Sequence, residues 1–452
     1  MIIKVEVKDL YGAFNHEIEL KEDNITLLLG ENGLGKTVIL RMIKAFFDKD
    51  FFELQTYLFS ELVLFFDDKT KISVKKITDE DDEVKLTFNF YRGNKKEGEK
   101  HEMEFSTNQL HGRRSMRRGH QRDLFFYDDL HFELERYLPS NIERIGSDLW
   151  MDTIRGFHYS TQDLFERYGK NFPPHLRKLE FEKKLPDWLI EKSQSVKTKF
   201  IETQRLLTRT KAQESEYKSS VVRYSQVLVE KIKNKTVDAT DLASKLDRSF
   251  PNRVINQITQ PVKISDLDLQ EGLQNLSKKR DLLNKVGLLD SEEEHLPINF
   301  QTSHSEILKD VLQVYLQDSN EKLAIYNELA KRIDLLMNII NKRFLYKKLS
   351  IDKNNGFGFT SVVNGKLIPL SGLSSGEQHE LVLFFQLLFD TEPNSMLLID
   401  EPEISLHISW QNHFINDLRE VIELNNLSAL IATHSPDIIN KNWNYTVILK
   451  GE

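Results

Sequence analysis

Gly30-Glu31-Asn32-Gly33-Leu34-Gly35-Lys36-Thr37 lies near the start of the chain and fits the spacing G-x-x-x-x-G-K-[ST]. An apolar run, Ile25-Thr26-Leu27-Leu28-Leu29, leads in as a buried strand would, and Val38-Ile39-Leu40-Arg41-Met42-Ile43 leads out as a helix. A phosphate-binding loop needs that strand–loop–helix setting. Gly30, Gly33 and Gly35 let the backbone wrap closely, so that the N–H groups around Asn32 and the helix N-terminus face phosphate oxygens. Lys36 can reach the β- and γ-phosphates, and the Thr37 hydroxyl can hold Mg²⁺. A glycine-rich turn without nucleotide is the bland alternative; the Lys-Thr pair and the preceding strand argue against it.

The 452 residues leave room for two or three structural units. A hydrophobic fraction of 39% and a charged fraction of 29% describe a globular protein with charge-rich helical surfaces. The net charge of −8 argues against a uniformly basic nucleic-acid coat, although a local basic patch stays compatible with it. With no cysteine, disulfides, thiolate zinc sites and cysteine nucleophiles are excluded together. Met1 to Val7 alternates like a strand rather than a signal peptide, and no apolar run approaches the ~18 residues of a membrane span. The expectation is a cytoplasmic protein without a membrane segment.

Three regions are expected: residues 1–205, 206–345 and 346–452. In the first, Val5, Val7, Leu10, Ile18 and Leu20 predict a hairpin beside the strand at Ile25. Leu62 to Phe66, Lys71 to Ile77 and Val84 to Phe90 predict an antiparallel meander, with turns at Asp67 to Thr70 and Asp79 to Glu83. From about 95 to 195 the pattern weakens into an irregular, basic insertion. Arg113, Arg114, Arg117, Arg118 and Arg122 crowd a glycine-containing stretch without apolar periodicity. Contact with DNA phosphates or an acidic partner is one reading of them, and a solvated surface loop is the other. The aromatics at Phe125 to Tyr127 read as local core rather than a base-stacking platform.

Val196 to Arg205 predicts another strand. The mainly helical middle region is expected to divide near Pro251 and near Pro297. Its last piece, Ser305 to Phe344, carries Tyr326, Leu329, Ile333, Leu336 and Ile340 at helical spacing, either ordinary packing or a short antiparallel coiled coil. Strands return from 346, with turns at Asn354 to Gly356 and Asn364-Gly365.

The last hundred residues hold further chemistry. Ser395 to Ile399 reads as a buried strand ending in Asp400 and Glu401. In a phosphate-loop enzyme Asp400 would hold Mg²⁺ through water and Glu401 would polarise the attacking water. Leu373-Ser374-Ser375-Gly376-Glu377-Gln378 opens an apolar helix. A capping box explains Ser374 with Glu377 but not the place of the motif just ahead of the Asp-Glu strand.

At this motif the chain resembles the ABC-type ATPases, whose signature reads LSGGQ or LSSGE[QR]. The resemblance implies an α/β ABC-type head built from both ends of the chain, with a helical insertion. It implies that Ser374, Ser375, Gly376 and Glu377 meet the nucleotide of a second subunit in a head-to-tail homodimer, an anion site in keeping with a helix N-terminus. Ser405-Leu406-His407 follows Glu401 as the family's D-loop does, and Leu430 to Thr433 delivers His434 as a strand delivers the switch histidine. Gln204 matches the Q-loop glutamine that senses Mg²⁺ and water; Gln162 competes less well, having no clear strand before it.

Lys36 and Ser374 bracket a long insertion, which resembles the SMC, RecF and OLD-type branch. The insertion is short for an SMC arm. Glu452 lies eighteen residues beyond His434, and the TOPRIM nuclease of OLD proteins is therefore not expected here. No HNH, PD-(D/E)xK or HD pattern occurs, and His111 and His120 lack acidic partners. Phe200-Ile201-Glu202-Thr203-Gln204-Arg205-Leu206 resembles the PtuA ATPase subunits of Septu-type anti-phage defence systems and related retron-associated ATPases. That resemblance implies an ATP- and Mg²⁺-dependent regulator of a separate, PtuB-like HNH nuclease that acts on DNA, and it is compatible with assemblies of dimers. A RecF-like DNA-repair module and a nucleotide-sensing scaffold with negligible turnover stay open beside it.

Overall fold

The computed structural model describes residues 1–78, 84–93, 95–105, 134–146, 149–154, 157–159, 161–173, 185–202, 207–208, 218–260, 264–289, 306–404 and 406–451. They divide into two compact units. One comprises Met1–Thr203, Glu392–Ile404 and Asn425–Glu452; the other comprises Gln204–Thr391 and Ser405–Leu424.

The chain opens with β1 (Ile2–Leu10), β2 (Phe14–Glu19), β3 (Ile25–Leu29), α1 (Lys36–Phe47) and α2 (Phe51–Leu54). Next come β4 (Glu61–Phe66), β5 (Thr70–Thr78), β6 (Val84–Arg92) and β7 (Lys95–Phe105). Shorter pieces follow: β8 (Ile142–Gly146), β9 (Leu149–Asp152), β10 (His158–Tyr159), α3 (Thr161–Tyr168) and α4 (Asp187–Gln194), then β11 (Lys197–Ile201). The first unit is completed from the far end of the chain by β17 (Ser395–Asp400), β18 (Ser428–Thr433), α12 (Pro436–Ile439) and β19 (Thr446–Ile448).

Two sheets share the main core of this unit. The parallel sheet runs β11-β17-β18-β3-β19, so strands from both chain ends lie side by side. Every residue of β17 is buried, and β3 and β18 are nearly so. Such continuous apolar runs, rather than alternation, mark parallel strands covered on both faces. The antiparallel sheet runs β2-β1-β4-β5-β6-β7. Helix α1 joins the two: Ile39, Met42 and Phe46 lie in one cluster with Val5, Leu62 and Phe88 of the antiparallel sheet and Leu28, Leu398 and Leu430 of the parallel one.

The second unit holds β12 (Leu207–Thr208), β13 (Lys218–Ser219), α5 (Ser220–Thr259), α6 (Asp266–Lys285), α7 (Glu306–Ala324) and α8 (Asn327–Arg343). It continues through β14 (Lys347–Asp352), β15 (Gly356–Ser361), β16 (Leu367–Ile368), α9 (Ser375–Phe389), α10 (Ile408–Gln411) and most of α11 (Phe414–Asn425). Among the described residues, no helix is long and apolar enough to cross a membrane.

Several expectations need correction. The hairpin β1–β2 forms, but β1 pairs with β4 and not with β3; the hairpin and Ile25 belong to different sheets. The meander gains a fourth strand, β7, whose sequence KKEGEKHEMEF hides its alternation among charges. The weakly patterned insertion carries a small core of its own around Trp150, Leu164 and Phe165. Helix α5 runs through Pro251 for 40 residues instead of dividing there. A proline inside a helix removes a donor and disturbs the turn before it. Here the carbonyl left without its N–H is that of Asp247, four residues back, and the helix continues past it with Arg253 Nη2 donating to Asp318 Oδ2 of α7 at 2.7 Å. Conversely, the single helix expected over Ser305 to Phe344 is two, broken at Ile325-Tyr326, although the stripe of Tyr326, Leu329, Ile333, Leu336 and Ile340 is buried as read. The expected turn at Asp79 to Glu83, the aromatics at Phe125 to Tyr127 and the division near Pro297 lie outside the described residues.

Candidate functional site

β3 ends at Leu29 and α1 begins at Lys36, so the glycine-rich loop spans the gap between a buried strand end and a helix N-terminus. Gly33 and Gly35 have φ of 91° and 84°, a region that favours glycine. At Gly35 a Cβ would also lie 2.3 Å from Leu10 Cδ2, so backbone conformation and space both exclude a side chain. Asn32 and Gly33 are exposed at the loop crest, whereas Lys36 is buried to 6% exposure. Lys36 Nζ donates to the carbonyls of Gly30 at 2.7 Å and Glu31 at 3.0 Å, so its ammonium is held across the mouth of the loop.

Thr37, next on α1, donates its hydroxyl to Asp400 Oδ1 at 2.8 Å across 363 residues of sequence. The parallel register makes this possible. Asp400 is the last residue of β17, level with Ala432 on β18, while Thr433 is level with Leu29 on β3. The strand ends therefore deliver the loop, Asp400 and His434 to one edge of the sheet. Ligands of open parallel sheets bind beyond the carboxyl ends of the strands.

Just past β17, Glu401 takes a φ of 42° and donates its N–H to the Ala432 carbonyl at 2.9 Å. For a residue with a Cβ this left-handed conformation costs about 1–2 kcal/mol, and strain of this kind clusters at functional sites. Glu403 lies two residues on and is buried. Its Oε1 accepts from Thr433 Oγ1 and from the His434 N–H, each at 2.9 Å. His434 Nδ1 stands 3.4 Å from Glu403 Oε1 and 3.7 Å from Glu401 Oε1, with the imidazole 45% exposed. Lys36, Thr37, Asp400, Glu401 and His434 are thus brought together within the first unit.

β11 leads towards Gln204 and pairs in parallel with β17 as far as Ile201 opposite Ile399. Gln204 itself lies outside the described residues, as do Arg113, Arg114, Arg117, Arg118, Arg122 and Ser405.

In the second unit, Ser374 caps α9 with its hydroxyl accepting from the Glu377 N–H, and Glu377 Oε2 accepts from the Ser374 N–H at 2.7 Å. Lys347 Nζ pairs with the same carboxylate oxygen at 2.6 Å and donates to the Gly372 carbonyl at 3.1 Å. Buried Leu373 anchors the turn, leaving Ser374 and Ser375 exposed ahead of the helix. The capping box is real, and it fixes the very turn that presents Ser374, Ser375 and Gly376.

Behind this turn a charged group is buried. Glu380 of α9 is fully buried and accepts from Arg343 Nη1 at 2.7 Å, while Arg343 also pairs with Asp417 of α11 and donates to the Trp410 carbonyl at 3.1 Å. Burial pushes the Glu380 carboxyl up to about 7 against the pull of Arg343.

A family model described as an AAA ATPase domain matches residues 1–439. The chain belongs to this family. Among curated proteins, this AAA ATPase is 30% identical over 78 residues to a probable iron chelatin transport ATP-binding protein of Helicobacter pylori, covering 17% of the chain and 30% of that relative. It is 37% identical over 71 residues to protein ea59 of Escherichia phage lambda, covering 15% of the chain and 13% of that protein. The chain thus spans less than a third of the length of the curated relatives it matches. Among solved structures, it aligns with an SMC head domain of Pyrococcus furiosus bound to the C-terminal domain of ScpA. There the TM-score is 0.31 and the identity 10%, over 97% of this chain and 90% of that one. With the SMC head domain of Thermotoga maritima the TM-score is 0.32, at 10% identity and the same coverage.

The residues present fit a nucleotide and Mg²⁺. A loop of positive-φ glycines, a lysine across it and a hydroxyl–carboxylate pair supply the cationic and hard-oxygen groups that phosphate and magnesium need. Two further residues escaped sequence reading. Glu403, in the run Asp-Glu-Pro-Glu, is buried onto Thr433 and His434 instead of facing solvent. His16 on β2, 4% exposed, donates from Nε2 to the Leu34 carbonyl at 2.8 Å. Neither carries a spacing signal, because both contacts join segments far apart in sequence.

Proposed function

We propose that this AAA ATPase binds and hydrolyses ATP in ABC-type composite sites formed by a head-to-tail homodimer. The observation that carries the reading is the Thr37–Asp400 hydrogen bond beside Lys36, with Glu401 and His434 beyond the same sheet edge. Lys36 and the loop N–H groups would bind the phosphates, and Thr37 and Asp400 would hold Mg²⁺, which when bound would supply charge neutralisation at the phosphates. Glu401 orients and polarises the attacking water as general base, Gln204 takes the role of the Q-loop glutamine that senses Mg²⁺ and water, and His434, steadied by Glu403, faces the γ-phosphate. Ser374, Ser375 and Gly376 from the second subunit close the site, with Glu377 holding their turn in shape. In this division, residues 1–205 and 346–452 form the ATPase head and 206–345 a helical arm that reports nucleotide state.

The same reading extends to the partner. We infer that the chain is the nucleotide-sensing subunit of a two-component anti-phage complex whose second component is a PtuB-like HNH nuclease. The Gln204-Arg205 segment and the length of the insertion support that assignment, and the arginines at 113–122 offer a contact for DNA or for the partner. The test pairs the purified chain with the product of its neighbouring gene and follows DNA cleavage with and without ATP, for wild type and Lys36→Ala. Nucleotide-dependent cleavage by the complex alone, altered in the variant, supports the assignment. Salt-dependent DNA binding by this chain without any complex would replace it with the repair-module reading.

A further inference from the structure

The loop is held from outside at one peptide. His16 lies on β2 opposite Val7 of β1, and its ring stacks on Phe14 at 6.0 Å between centroids. A carbonyl oxygen can only accept, so the 2.8 Å contact with Leu34 fixes the imidazole proton on Nε2. The Leu34 side chain is equally committed. It is buried beside Gly30 and Gly451, where added Cβ atoms would lie 3.1 and 3.5 Å from its methyl carbons.

Two planar constraints then follow. In a trans peptide the carbonyl of one residue and the N–H of the next point in opposite directions. No peptide bond is cis among the described residues. With the Leu34 carbonyl turned out towards β2, the Gly35 N–H is turned the other way, into the loop. A loop that cradles phosphate works by such inward N–H groups. At φ 84° Gly35 could otherwise flip this peptide freely, having no Cβ to resist the rotation.

We infer that His16 is a positioning residue for the phosphate loop, fixing the Leu34–Gly35 peptide so that the Gly35 N–H is preset for a nucleotide phosphate. The inference rests on the nucleotide-binding reading of the loop and adds to it a residue that touches no substrate.

The test measures equilibrium binding of ATP–Mg²⁺ and steady-state turnover for the full chain carrying His16→Phe, His16→Gln or Lys36→Ala. His16→Phe keeps a planar apolar ring but no donor, and should weaken binding and raise KM about tenfold, the scale of one hydrogen bond, while kcat stays near wild type and Tm falls no further than the unpaired Leu34 carbonyl accounts for. Glutamine can still donate and should restore binding to within about threefold of wild type. Unchanged affinity in His16→Phe, with Lys36→Ala impaired, overturns the inference and leaves the nucleotide site standing. Absence of ATP binding by the wild-type chain overturns both. Nitrogen NMR of the wild-type imidazole is independent of how the variants fold: an Nε2–H tautomer supports the inference, and an Nδ1–H tautomer contradicts it.

Discussion

At Glu401 the chain accepts a left-handed backbone immediately after a strand whose residues are all buried. The conformation turns Glu401 away from the strand direction, and the next turn brings Glu403 under Thr433 and His434. The two glutamates therefore differ in setting: Glu401 stays partly exposed, and Glu403 is buried against the histidine strand. Glu401→Gln should keep ATP binding and lose turnover by about 10²- to 10⁴-fold, the range of a general base; phosphate-release and binding assays on one preparation separate the two effects. Tight ATP binding with negligible turnover already in the wild-type chain would instead favour the nucleotide-sensing scaffold, and unchanged turnover in Glu401→Gln would remove Glu401 as the base. Glu403→Ala leaves buried Thr433 Oγ1 and the His434 N–H without their acceptor. It should cost about 1–3 kcal/mol of stability, read from denaturant unfolding.

Among the elements, α9 joins an exposed turn to a buried charge. Ser374→Ala removes the cap and should cost about 1 kcal/mol; on the composite-site reading it should also slow turnover without weakening ATP binding. Glu380, buried with Arg343 and Asp417, gives the helix a pH signature. Its folded pKa of about 7 lies above the ordinary carboxylate value of 4.5, so between these pH values the folded state binds more protons than the unfolded one. Stability from this group is complete below pH 4.5 and is lost as pH rises through 7, a difference of about 3 kcal/mol. Unfolding midpoints measured from pH 5 to 8 should fall in wild type and flatten in Glu380→Gln.

The sequence made some of these elements plain and concealed others for physical reasons. β3, β17 and β18 are continuous apolar runs, and burial on both faces of a parallel sheet requires that pattern. Lys36, Thr37, Asp400, Glu401 and His434 sit at the ends of those runs, so their gathering follows from strand register. β7 was hidden because charges occupy both of its faces. The passage of α5 through Pro251 was hidden because the helix beyond the proline is held by residues distant in sequence: Arg253 Nη2 donates to Asp318 Oδ2 at 2.7 Å and Gln257 Nε2 to Gln313 Oε1 at 3.1 Å. The sheet to which the β1–β2 hairpin belongs depends on β4, more than fifty residues from β1, and local alternation carries no record of it.

On the scale of the whole molecule, the first unit contains the glycine-rich loop, the Thr37–Asp400 pair, Glu401 and His434, and the second contains the exposed serine turn of α9. If ATP is held between the loop of one subunit and the serine turn of another, a chain that binds nucleotide without cleaving it should accumulate as the closed pair. Light scattering on size-fractionated Glu401→Gln, with and without saturating ATP–Mg²⁺, tests this most directly. ATP should double the particle mass, to two chains of 53.0 kDa from a nucleotide-free monomer, and adding Ser374→Arg should abolish the change. An unchanged mass, with ATP shown to be bound, would rule out the composite site between two chains.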